Sequence, residues 1–83
     1  MTIFQIECFL AVAEHLNFAR AATQLNVSQP AITRQIHTLE AELGTQLFIR
    51  STRMVRLTEN GRIFQSDAQL IVNTSRRSVQ RFA

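Results

Sequence analysis

Ser28, Gln29, Pro30, Ala31, Thr33, Arg34 and His37 stand close together in the chain, and their types suit contact with a nucleic-acid duplex. A Gln amide can bond adenine through both of its functions, and Arg can do the same with guanine. The methyls of Ala and Thr suit the thymine methyl. A second group, Arg50, Arg53 and Arg56, recurs at a spacing of three. Arginine in such a group can enter a minor groove, where the potential is most negative, or hold phosphate. Other chemistries find less support. Cys8 and His15 lie seven residues apart, about 10 Å along a helix axis. Neither a glycine-rich phosphate loop nor a metal-ligand spacing is present, and a single Cys excludes a disulfide framework and a Cys-based zinc site. The expectation is therefore a binding protein rather than an enzyme, with no metal and no cofactor.

The charges support a polyanionic partner. All nine basic residues are Arg, none Lys, and the formal net charge is +3. Residues 1–49 carry two Arg and four acids, whereas residues 50–83 carry seven Arg and two acids. Such an asymmetry points to nucleic acid. Arg62, Arg76, Arg77 and Arg81 are read as a solvated helix face. For Arg50 two roles stay open: phosphate contact, or an ion pair with Glu40 or Glu42 that braces the segment.

The elements that must hold these residues are legible. At 83 residues there is room for one small domain, which buries only about 60% of its unfolded surface. Two Gly and one Pro leave few breaks, so the chain is expected to be mainly helical. Thr2 with Gln5 forms a capping box, followed by an apolar stripe of Ile3, Ile6, Phe9, Leu10, Ala13 and Leu16. Cys8 flanks that stripe and is expected in the core. Asn17 caps a short second helix with Phe18, Ala21, Ala22 and Leu25 buried, and Asn26 ends it. Ser28 caps a third helix with Pro30 in its first turn, and Gly44 ends it. Two helices joined so tightly describe a helix-turn-helix at about 18–37. Leu47 to Ile49 and Val55 to Leu57 are strand-like, separated by Arg50-Ser51-Thr52-Arg53-Met54. That predicts a hairpin wing at about 46–57. Thr58 then caps a long final helix. Its repeat of Phe64, Ala68, Ile71, Ser75, Ser78 and Phe82 is expected to form a dimer seam.

At this point the chain resembles a known family. Residues 18–57, FARAATQLNVSQPAITRQIHTLEAELGTQLFIRSTRMVRL, followed by TENG, resemble the N-terminal DNA-binding domain of LysR-type transcriptional regulators. The matching positions are Ala21-Ala22, Leu25, Val27 to Ile36, Leu39-Glu40, Leu43-Gly44, Leu47-Phe48, Arg50, Arg53, Leu57-Thr58 and Gly61. Asn17, Thr45-Gln46 and Ile49 depart from the commonest pattern. The resemblance implies a winged helix-turn-helix over residues 1–58 and a linker helix over 59–83 that pairs antiparallel with its copy in a homodimer. It implies sequence-specific binding to double-stranded DNA at an inverted-repeat operator. Gln29, Pro30, Ala31, Thr33 and Arg34 would face the major groove, and Arg53 the minor groove. Ser28, His37 and Arg50 would hold phosphate. Regulators of this family are longer and carry a C-terminal domain for a small-molecule effector, so the resemblance implies that these residues correspond to the N-terminal part alone. An interaction module without sequence specificity of its own is the alternative. With no signal peptide visible and no apolar run approaching the ~18 residues of a membrane span, the expected compartment is the cytoplasm.

Overall fold

Each helix starts at the cap that the sequence supplies. The computed structural model describes residues 1–51 and 53–83. Thr2 opens α1 (Ile3–His15) with a reciprocal box: its hydroxyl accepts the Gln5 N–H, and Gln5 Oε1 accepts the Thr2 N–H, both at 3.0 Å. Asn17 caps α2 (Phe18–Leu25), Ser28 caps α3 (Gln29–Leu43) and Thr58 caps α4 (Glu59–Arg81). Each side chain accepts the backbone N–H three residues on, satisfying a donor that the helix leaves free. The left-handed residues Asn26 (φ 58°) and Gly44 (φ 71°) end α2 and α3. Leu16 is left-handed as well (φ 49°), a conformation leucine rarely takes. It was expected on the buried stripe and is instead 45% exposed. Only Leu16 and Asn17 separate α1 from α2, so the chain must reverse within them.

The wing is an antiparallel pair, β1 (Phe48–Arg50) and β2 (Val55–Leu57), with Phe48 opposite Leu57 and Arg50 opposite Val55. Thr52, expected between the strands, lies outside the described residues. The first strand starts one residue later than the sequence suggested, because the N–H of Leu47 is drawn to α3 while only its carbonyl pairs across the hairpin. That N–H is accepted by Glu40 Oε2 at 2.7 Å and the Leu47 carbonyl accepts the Thr58 N–H at 3.0 Å. Glu40 Oε2 also takes the Phe48 N–H at 3.3 Å. One carboxylate on α3 thus holds the entry to the wing.

The core forms around α1, which packs against α2, α3 and α4. Ile6, Cys8, Phe9, Ala11, Val12 and Ala13 are all buried, so more of this helix is covered than one stripe predicts. Phe9 sits among aromatic rings, 5.4 Å from Phe48 and 5.1 Å from Phe64 between centroids. Ala21 and Ala22 are buried, which lets neighbouring helices approach α2 closely.

The final helix places part of the expected dimer seam against the chain's own core. Ala68 has no exposure at all, Val72 is buried beside it, and Phe64 and Ile71 pack on the same core. Phe64 meets Phe9 edge-on. Ala68 and Val72 serve the chain's own core, and Phe64 and Ile71 are partly covered by it. Of the remaining seam residues, Ser75 is half-buried while Ser78 and Phe82 are exposed. The apolar residues that α4 leaves in solvent are Ile63, Leu70 and Val79, with Phe82 exposed just past its end. Among the described residues, no helix is long and apolar enough to cross a membrane.

Candidate nucleic-acid interface

The exposed side of α3 carries the first expected cluster. Gln29, Pro30, Thr33, Arg34 and His37 line one open groove together with Thr38. Their spacing along α3 returns them to one face, while Ile32, Ile36 and Leu39 turn inward. Ser28 Oγ is 3.2 Å from the Ala31 N–H, so the cap is made locally. Ala31 is half-buried and does not line the groove, although Gln29 and Arg34 beside it are exposed.

The wing stands next to this face. Gln29, Arg50 and Arg53 line a second cleft with Asn17, Phe18 and Met54, between the wing and the turn from α1 to α2. The wing tip is held by Ser51: its N–H reaches the Met54 carbonyl at 2.9 Å, and its Oγ accepts the Met54 N–H at 3.1 Å. Arg53 is exposed there. His37 borders the first groove and a third, smaller cavity lined also by Arg50. The expected seam residues of α4 line none of these clefts.

Electrostatics favour an anionic occupant. The ion pairs among the described residues join the Met1 amine to Glu42 and Arg62 to Glu59. Neither involves Arg34, Arg50 or Arg53. The bracing pair considered for Arg50 is not formed: Glu40 holds the backbone of Leu47 and Phe48, and Glu42 holds the chain's first residue. Arg50 stacks instead on Phe18, its guanidinium carbon 3.7 Å from the ring centroid, and its Nη2 lies 3.4 Å from Thr33 Oγ1. Phe18 as a platform for Arg50 was not anticipated; an aromatic at the start of α2 reads from sequence as core alone. Glu40 was expected only as an ion-pair partner of Arg50; its bonds to the Leu47 and Phe48 N–H groups leave no charge pattern in the sequence.

Residues 3–62 match the family model described as "Bacterial regulatory helix-turn-helix protein, lysR family". The chain belongs to the LysR family. Among its relatives, the HTH-type transcriptional regulator TfdS of Cupriavidus pinatubonensis is 47% identical over 81 residues, which cover 98% of this chain and 28% of that protein. The regulator XapR of Escherichia coli is 53% identical over 68 residues, 81% of this chain and 23% of XapR. The chain thus spans about a quarter of the length of these LysR relatives. Its fold is that of LysR DNA-binding domains: the solved CbnR DBD–DNA complex superposes with a TM-score of 0.93 at 48% identity, covering 98% of this chain and 93% of that one. The BenM DBD in complex with catB site 1 DNA gives 0.93 at 35% identity, covering 99% and 92%. The stretch matched by the LysR family model contains α1, α2, α3, the wing and the first turn of α4, so every cluster described above except the α4 faces lies inside it.

Proposed function

We propose that this chain binds double-stranded DNA in a sequence-specific manner, as the N-terminal domain of a LysR-type transcription regulator. The observation that carries this is the single exposed face of α3 on which Gln29, Thr33 and Arg34 line one groove, with arginines free of carboxylates beside it. That face would enter the major groove, which admits one α-helix. Gln29, Pro30, Ala31, Thr33 and Arg34 would meet base edges, with half-buried Ala31 limited to an apolar contact. Arg53, exposed on the wing, would enter the minor groove. Ser28, His37 and Arg50 would lie along the phosphates. Binding without catalysis, in the cytoplasm, fits relatives that are transcriptional regulators.

The same reading makes the bound form a homodimer through α4, by a face other than the one the heptad pattern suggested. Ile63, Leu70 and Arg77 repeat every seven residues and are exposed. In an antiparallel pair centred on Leu70, Arg81 of one copy comes opposite Glu59 of the other, and Arg77 comes near Asp67. Apolar centre and complementary ends together fit a second copy of this chain.

The test is selection of bound duplexes from a random library at near-physiological salt. Enrichment of an inverted repeat supports both specific binding and a two-fold dimer. One enriched half-site supports the reading of DNA and removes the dimer. Retention of bulk DNA without enrichment removes sequence specificity.

A further inference from the structure

Arg50 stands where three parts of the interface meet. It ends β1, it stacks on Phe18 at the start of α2, and it reaches Thr33 on the exposed side of α3. Phe18 is itself fixed: it is buried, and its ring meets Phe48 edge-on at 6.0 Å. The planar guanidinium therefore rests on a rigid floor at 3.7 Å, with an edge directed to the Thr33 hydroxyl at 3.4 Å. A guanidinium only donates, whereas a hydroxyl has one proton to give and two lone pairs to receive.

We propose that Arg50 is a positioning residue that sets how Thr33 reads a base, an inference that rests on the DNA-binding reading above. With Arg50 donating to it, Thr33 Oγ1 has a lone pair occupied and a cation beside it. It becomes a poorer acceptor for the amino groups of adenine or cytosine. Its own O–H turns away from the cation and becomes a stronger donor. Thr33 then selects an acceptor edge in the major groove: guanine O6 or N7, adenine N7, or thymine O4. The contact also ties the wing to α3, so the groove-facing helix and the minor-groove arm are set as one body.

The role separates from a plain phosphate contact because the two need different things of the side chain. A phosphate needs charge, which Lys keeps; stacking and an in-plane donor need the guanidinium. The experiment runs the duplex selection and affinities in a salt series on the whole chain, wild type beside Arg50→Lys, Arg50→Gln, Thr33→Val and the Arg50→Lys/Thr33→Val double variant. The expected result is that Thr33→Val relaxes preference at one base pair by about fivefold, the scale of a single hydrogen bond. Arg50→Lys relaxes the same pair with its salt slope unchanged, and the double variant adds nothing further. The proposal is overturned if Arg50→Lys leaves the preference intact. It is also overturned if Arg50→Gln weakens every duplex equally and lowers the slope by about one phosphate, while Thr33→Val acts independently. A wild-type chain that enriches no sequence removes the DNA-reading proposal itself, and this one with it.

Discussion

Two side chains show how exposure decides between roles. Arg34 is exposed, lines the α3 groove and is absent from the ion pairs of the described residues, so no carboxylate among them competes with DNA for it. Arg34→Ala is expected to cost about 1–3 kcal/mol of binding and to relax preference at one base pair. Competition binding with duplexes altered one pair at a time checks this; an equal loss on all of them assigns Arg34 to phosphate. Cys8 is the opposite case. Burial, with a smaller contribution from the charge of Glu7, pushes its thiol up from 9.0 to about 11. The folded chain therefore holds that proton where the unfolded chain has lost it. The resulting stability is fully present below pH 9 and is lost as pH rises toward 11, by at most ~3 kcal/mol. The sequence has no Lys and no Tyr, so few other groups titrate in that window. Urea unfolding from pH 8.5 to 10.5 is expected to show this decline in the wild type. In Cys8→Ala the decline is absent, and a decline that persisted there would assign it to another group.

At the scale of elements, the junction of wing and final helix is the tightest point. Thr58 caps α4 through the Gly61 N–H at 2.9 Å and donates its hydroxyl proton to the Gln46 carbonyl at 2.7 Å. Gly61 is there because of what it touches. A Cβ at that position would lie 2.2 Å from the Leu47 carbonyl oxygen and 2.9 Å from Leu57 Cδ2. The first atom is backbone and already accepts the Thr58 N–H, so it cannot give way cheaply. Gly61→Ala gains helix propensity of about 1 kcal/mol yet is expected to lose about 2 kcal/mol net through the displaced wing. That lowers Tm by about 10 °C in a domain of this size. A thermal melt decides it, and an unchanged or raised Tm shows that α4 shifts without disturbing Leu47. Glu40 acts at the same junction from the other side, so the wing hangs from α3 and α4 together.

At the scale of the molecule, α4 presents two apolar faces with different tasks. One, with Ala68 and Val72, completes the core around Phe9; the other, with Ile63 and Leu70, is in solvent. Leu70→Asp is expected to abolish the dimer while costing the folded monomer itself no more than about 1 kcal/mol, since an exposed site costs little beyond propensity. Ile71→Asp, one residue away but packed on the core, is expected to destabilise the fold itself. Sedimentation and melting of both variants check the assignment, and a dimer that survives Leu70→Asp places the pairing surface elsewhere.

Caps, breaks and motif spacing are local, and the sequence alone determined what depends on them: four helices, the tight turn from α2 to α3, the hairpin, and the α3 cluster from Gln29 to His37. The LysR resemblance followed from the same residues. What only the tertiary structure decided were the contacts between distant segments. A heptad repeat marks an apolar face without saying whether a partner or the chain itself covers it, and α1 claimed Ala68 first. Leu16 was taken from the buried stripe by the need to turn before Asn17. The partner of Arg50 was settled by which carboxylates were already bonded and which ring lay beneath it, and neither is encoded in the spacing of charges.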